Sequence, residues 1–323
     1  MVMGAWSGGS YSCSNINISA SIRRPLTLVL LAFLVICVVI YYSAPGATTL
    51  YDAYRKRLRF RGTQRRLPQS LIIGVRKCGT RALLEMLNLH PHVQKNGVEM
   101  HFFDDDERFA NGFEWYRKKM PYSFDDQVTV EKTPSYFISR EAPARIHSMN
   151  SSMKLLLIVR EPAMRVLSDY TQIKDSKERK GITVPPFEQK VITPEGEVND
   201  SYKAVKISQY AVHIIPWLRV FKREQILIID GDVLIKDPFT EIEKVQKFLN
   251  LPPYITEDNF YYNDTKGFYC MRNETFQKCL ADSKGRPHPH VDPNVMSRLR
   301  RFFAPFNEQF YNMVGHNFSW PTS

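Results

Sequence analysis

The residues with the plainest chemical meaning lie in the run Gly74-Val75-Arg76-Lys77-Cys78-Gly79-Thr80-Arg81. A lysine, a hydroxyl and two arginines are gathered around two glycines, just where an apolar stretch gives way to a helical pattern. A strand that feeds a helix through such a loop aims backbone N–H groups, and the positive end of the helix dipole, at one point where an anion can sit. Lys77 and Arg81 add formal charge to that point. A nucleoside-triphosphate loop places its lysine directly after the second glycine, with a hydroxyl next to it for magnesium. Here Lys77 precedes Gly79, and no acidic residue closes a strand in the magnesium-binding manner unless Asp230 does so.

The elements that must position these groups follow from periodicity. Residues 71–75 read as a short buried strand, and 80–89 carry apolar side chains at helical spacing. Residues 112–120 read as an amphipathic helix, and 128–132 as a strand that stops at Thr133-Pro134. The run at 154–160 is apolar through its centre, as a parallel strand covered on both faces must be, and ends in Arg160-Glu161-Pro162. A helix is expected over 163–173, a loop over 183–199, and a long helix over 201–221, kinked at Pro216. A fourth strand at 225–229 runs into Asp230-Gly231-Asp232. Asp237-Pro238 and Asp292-Pro293 are N-cap and first-position pairs that start helices at 239–249 and from 293 through Phe303. Strands alternating with helices predict a doubly wound parallel sheet, whose ligands sit beyond the carboxyl ends of the strands.

The chain has 323 residues, 43% of them hydrophobic, and a net charge of +11. That composition excludes a disordered tail and suits an acidic partner: nucleic acid, an anionic membrane or a polyanionic glycan. Residues 26–42 are uncharged and mostly apolar behind Arg23 and Arg24, which reads as a signal anchor with residues 1–25 as a cytoplasmic tail; the competing reading is a signal peptide cleaved at the small residues Ser43, Ala44, Gly46 and Ala47, against which the long N-terminal region argues. Residues 43–67 read as a basic stem and 68–323 as a lumenal domain. Acceptor patterns for N-glycosylation at Asn150, Asn199, Asn263, Asn273 and Asn317 all follow the span. Cys270 and Cys279 can close a small disulfide loop in an oxidising lumen, and in cytosol they lack the second Cys/His pair of a zinc site. The lysine-before-glycine order suits a metal-free site for a phosphosulfate nucleotide better than one for ATP.

In chain order RKCGTRALLEML, EMHFFD, VEKTPSYF, LLIVREPAMRVLSDYTQ, GFYC followed by KC, and SKGR resemble the heparan sulfate glucosamine 3-O-sulfotransferases from about Ser70 to the C-terminus. The resemblance implies a P-loop-like α/β sulfotransferase fold, with a central, mainly parallel sheet flanked by helices and preceded by one transmembrane helix. It implies a type II Golgi membrane protein that uses 3′-phosphoadenosine 5′-phosphosulfate (PAPS) without a metal and acts on a heparan sulfate chain rather than a nucleic acid. Oligomeric state stays open.

By the same resemblance Lys77, Cys78, Gly79, Thr80 and Arg81 hold the phosphosulfate, and Arg160 and Ser168 the 3′-phosphate. Lys284, Gly285 and Arg286 close over the donor. Glu99 becomes the base that deprotonates the sugar hydroxyl, with His101 and Asp104 beside it, and Lys77 and Lys132 take the charge that develops on the leaving phosphate. Arg81, Glu85, Lys132 and Gln172 contact the acceptor, and Cys270 and Cys279 pair as a disulfide. His288 and His290 are read as loop residues. Cys78 replaces the family's usual glycine, and a positive φ there would strain the loop. Two other readings stand beside the 3-O-sulfotransferase: another carbohydrate sulfotransferase, or a heparin-binding membrane protein without activity, against which the presence of Glu99, Lys77 and Lys132 argues.

Overall fold

A computed structural model describes residues 62–281 and 285–323. The expected membrane anchor and most of the stem lie outside the described residues. Among those described, no helix is long and apolar enough to cross a membrane.

The first elements are β1 (Gln64–Arg65), β2 (Ser70–Gly74), α1 (Thr80–Leu87) and β3 (Val93–Lys95), followed by α2 (Asp106–Phe109), α3 (Gly112–Lys119), β4 (Tyr122–Ser123) and β5 (Val128–Lys132). Then come α4 (Ala142–Met149), β6 (Lys154–Val159), α5 (Pro162–Glu178), α6 (Phe187–Val191), α7 (Lys203–Ile207), α8 (Tyr210–Val220) and β7 (Ile226–Asp230). The chain closes with α9 (Gly231–Lys236), α10 (Pro238–Leu249), the strands β8 (Phe260–Asn263), β9 (Phe268–Arg272) and β10 (Gln277–Lys278), and α11 (Pro293–Val314).

β3, β5, β2, β6 and β7 form, in that order, a five-stranded parallel sheet. Every residue of β2 is buried, as is every residue of β6 after Lys154. That burial on both faces explains their unbroken apolar runs. The two central strands therefore fix the ends at which the loop after Gly74 and the Arg160 turn emerge. β8, β9 and β10 make a separate antiparallel sheet. β1 pairs with β4, and Arg65 donates to the carbonyls of Lys118 and Met120, so this part of the basic stretch is built into the folded unit.

The expected helix over 201–221 is two helices, α7 and α8, parted at Ser208 and Gln209. The interruption has a cause: the Ser208 hydroxyl and the buried Arg165 guanidinium both take up the Ala204 carbonyl oxygen, and Ser208 also donates to Pro162 O. Pro216 sits inside α8 without ending it. α5 and α11 run on to Glu178 and Val314, beyond their expected ends, and the expected loop at 183–199 contains α6.

Gly231 opens α9 against the loop after β2. A Cβ there would stand 2.5 Å from the Cys78 carbonyl oxygen and 2.7 Å from that of Val159. Both obstacles are backbone, so Gly231→Ala is expected to cost about 1–3 kcal/mol, the usual range for forced overpacking. Urea unfolding checks it: the midpoint drops at unchanged slope, and an unmoved midpoint would mean that α9 slides freely past the loop.

Candidate active site

The loop between β2 and α1 owes its shape to two left-handed residues, Lys77 at φ 76° and Gly79 at φ 111°. Cys78 between them has no positive φ, so the strain expected at Cys78 falls instead on Lys77. The Cys78 amide donates to Val75 O at 3.0 Å, and its sulfur lies 3.6 Å from the Tyr210 hydroxyl. Burial pushes the thiol up to about 11, against the opposing charges of Arg165 and Arg160. At neutral pH it is an inert, packed thiol. The first bond of the helix ladder runs from Leu83 N–H to Gly79 O, which leaves the amides of Thr80 and Arg81 directed out of the helix start.

Arg165 on α5 holds this loop from behind. Its guanidinium is fully buried and donates to Arg76 O at 3.0 Å, to Asp169 at 3.1 Å, to Ala204 O and to Ser208. Asp169 also takes the Arg76 Nε at 3.0 Å. One turn beyond Asp169, Gln172 accepts from the Lys77 ammonium at 2.8 Å. On the next strand end, Asp232 accepts from Arg160 Nε at 2.8 Å and from the Glu161 amide at 2.9 Å, which fixes the guanidinium beside the loop. Asp230 caps α9 through the amides of Asp232 and Val233, at 2.8 and 3.1 Å. That cap is the local role of the acidic strand end left open as a magnesium ligand.

Facing the loop is the segment between β3 and α2. Phe102 and Phe103 are fully buried in an aromatic cluster, Phe102 stacking on Tyr116 with centroids 4.4 Å apart. Glu99, His101 and Asp104 project from the same stretch. The Lys132 ammonium, at the end of β5 and almost wholly buried, bonds Glu99 Oε1. His101 Nε2 lies 3.8 Å from the other Glu99 oxygen, and its Nδ1 meets Asp104 at 3.2 Å and Ser135 at 3.1 Å. His101 itself has φ 50°.

A single cavity of about 800 Å³ joins the two sides. Lys77, Gly79, Thr80 and Arg81 meet it from the loop, and Arg160, Ser168 and Gln172 from the strand end and α5. Glu99, His101 and Lys132 meet it from the opposite side. Gly285 and Arg286 also reach it, while Lys284 lies outside the described residues. Arg286 pairs with Asp175 at 3.0 Å, and Gly285 packs so tightly that a Cβ would come within 2.7 Å of Phe268. Cys78 touches the cavity with its thiol turned to the core. His288, read as a loop residue, also lines it, and burial together with Arg160 and Lys77 holds its imidazole below the ordinary histidine range.

Two of the expected residues stand apart. Asp104 reaches the site only through His101. Glu85 lines a second, smaller pocket with Lys95 and Lys278. There burial raises its carboxyl, and the bonds and charges of Lys95 and Lys278 outweigh that and hold it below the usual carboxylate range. Arg81 donates to Gly97 O at 3.0 Å and lies 3.8 Å from Glu85. Cys270 and Cys279 form a disulfide.

The family model described as "Sulfotransferase domain" matches residues 67–314. Over 272 residues the chain is 55% identical to human heparan sulfate glucosamine 3-O-sulfotransferase 5, covering 84% of this chain and 79% of that protein. The chain belongs to the sulfotransferases, among the heparan sulfate glucosamine 3-O-sulfotransferases. Similarity to human heparan sulfate glucosamine 3-O-sulfotransferase 3B1 is 46% over 261 residues, 79% of this chain and 65% of that protein. A sulfotransferase from Alicyclobacillus acidocaldarius shares the fold at 19% identity with TM-score 0.57, covering 79% of this chain and 98% of that one.

Sequence reasoning about this sulfotransferase missed Arg165, Asp169 and Asp232. The i,i+4 spacing of Arg165 and Asp169 on an expected helix was the available signal, but only the folded chain shows the pair holding a loop carbonyl.

Because the left-handed positions are Lys77 and Gly79, Cys78→Gly is expected to change affinity for the desulfated donor product less than about threefold. The lost packing and the added chain entropy lower stability by about 1–2 kcal/mol. Calorimetric titration alongside thermal melts checks both, and a tenfold gain in affinity would put the strain back at Cys78.

Proposed function

We propose that this chain transfers the sulfuryl group of PAPS to the 3-hydroxyl of glucosamine units in heparan sulfate. The observation that carries the reading is the Glu99–Lys132 pair, facing a cationic, helix-capped anion loop across one cavity. The donor's 5′-phosphosulfate fits the start of α1, where Lys77 and the free-ended amides of Thr80 and Arg81 converge. Its 3′-phosphate suits Arg160 and Ser168, with Lys284, Gly285 and Arg286 as the cover. Orphan helix-start amides, two cationic side chains and a glycine φ of 111° are what an approaching phosphate needs.

On the acceptor side Glu99 takes the proton of the attacking hydroxyl as the new O–S bond forms. Lys132 orients that carboxylate, and with Lys77 offsets the negative charge left on the 5′-phosphate as its bond to sulfur breaks. His101, held between Asp104 and Ser135, steadies the second Glu99 oxygen. Arg81, Glu85 and Gln172 form the acceptor rim, and Lys95 and Lys278 extend it with positive charge suited to a sulfated chain.

A lumenal Golgi location on a signal anchor at residues 26–42 agrees with the Cys270–Cys279 disulfide, since such bonds persist in oxidising compartments.

Labelled PAPS and heparan sulfate test the reaction, with disaccharide analysis locating the sulfate. Glu99→Gln is expected to lower kcat about 10²–10⁴-fold, the usual contribution of a positioned base, at unchanged donor affinity. Equal transfer by both proteins, or label at another hydroxyl, would overturn the assignment.

A further inference from the structure

We infer that Glu131, buried behind the acceptor-side segment, is a positioning residue that holds Glu99 and His101 in place through the backbone of residues 100–102. It rests on the transfer chemistry proposed above. Glu131 is fully buried on β5, next to Lys132, and its side chain faces away from the cavity into a polar network. Its Oε1 accepts from the Met100 amide at 3.3 Å and from the Thr133 hydroxyl, and its Oε2 accepts from the Tyr116 hydroxyl at 3.2 Å. Thr133 in turn accepts from the amides of Met100 at 3.0 Å and His101 at 3.4 Å, and the Tyr136 hydroxyl accepts from Phe102 at 3.1 Å. Three consecutive amides, directly after the proposed base, thus end on one buried network.

A carboxylate is expensive to bury, and an aliphatic side chain would fill the space without that cost. What it supplies is acceptor capacity. Met100 N–H, Thr133 O–H and Tyr116 O–H all donate to it, and as a neutral acid it would add a donor to a set already rich in them. The segment it holds contains His101 at φ 50°, a conformation that needs outside support.

The charged and titratable groups around Glu131 come from each element packed on it: Tyr116 from α3, Tyr136 from the turn after β5, and Lys132 on its own strand, with Asp104 close to Tyr136. Leu71 is its register neighbour on β2. Burial raises the carboxyl to about 7, against the bonds from Thr133, Met100 and Tyr116 and the Lys132 charge. Because this folded value lies above the ordinary one, the group destabilises the fold as pH rises through about 7, while its charged form sets the loop. Stability is therefore lost between the ordinary value of 4.5 and about 7, and activity is gained as the charged form takes over near the upper end of that interval.

The test measures kcat at saturating PAPS and heparan sulfate from pH 6 to 8.5 in the full chain, with affinity for the desulfated donor product and thermal melts beside it. Wild type is expected to gain activity through a midpoint near 7. Glu131→Gln should lose that inflection, lose about tenfold in kcat at pH 8, keep its donor affinity and melt no lower than wild type at pH 8. Tyr116→Phe removes one bond to the charged form and should move the midpoint upward. A Glu131→Gln profile parallel to wild type, or activity, donor affinity and melting temperature falling together, would overturn the proposal, as would an unmoved midpoint in Tyr116→Phe. Amide exchange at Met100, His101 and Phe102 reads the same positioning without substrate: it should quicken in Glu131→Gln, and unchanged exchange would overturn the proposal even if no transfer were seen. Absence of wild-type transfer, by contrast, counts against the transfer reaction itself.

Discussion

The site hangs on one buried guanidinium. Arg165 sits where three pieces of chain that are distant in sequence must meet: the loop between β2 and α1 through Arg76 O, its own helix through Asp169, and the α7 end through Ala204 O and Ser208. A charge in such a place is tolerable only when its N–H groups are taken up, and four hydrogen bonds to oxygen are what this one makes. The energetic meaning is asymmetric. The intact pair adds little net stability over an apolar filler, while removal of one partner strands the other and releases the loop. Arg165 thus turns a helix packed on the sheet into a template for the conformation of Lys77.

The parallel sheet explains why the two sides of the cavity face each other. β5, β2 and β6 are neighbours, and their carboxyl ends deliver Lys132, the Lys77 loop and Arg160 side by side. The strand order places the Glu99 segment after the edge strand β3, so it folds back across the end of β5. Its aromatic side chains bury behind it, and Glu99 is left facing the loop. Lys77 and Arg160 thus stand on one side of the cavity and Glu99 and Lys132 on the other, at the carboxyl ends of the strands.

Much of this was legible from residues alone. The buried strands announced themselves as apolar runs, and Asp237 and Asp292 with their following prolines marked helix starts that the structure keeps. The loop at 74–81 was legible as a turn from a buried strand into a helix, which the structure keeps. Other features could not be read so. Glu131 looks like any charge in a strand until its neighbours are known, because a carboxylate's meaning depends on what donates to it. Arg165 and Asp169 have the spacing of a surface pair and the burial of a core one. The break at Ser208 arises from contacts with a residue 43 positions away, beyond any local propensity. Cys78 drew attention as the unusual residue of its loop, yet the backbone assigns the unusual conformations to its two neighbours.

The hairpin closed by Cys270 and Cys279 is a restraint of another kind. The bond joins Cys270 on β9 to Cys279, nine positions on and just past β10, in the sheet that brings Lys278 to Glu85 and stands Phe268 against Gly285. The parallel sheet and the Arg165 contacts contain no covalent cross-link among the described residues. The contacts of Lys278 with Glu85 and of Phe268 with Gly285 lie on a sheet that carries a covalent cross-link. The folded unit thus combines two kinds of restraint, the buried hydrogen bonds around Arg165 and a covalent bond that a reductant can break.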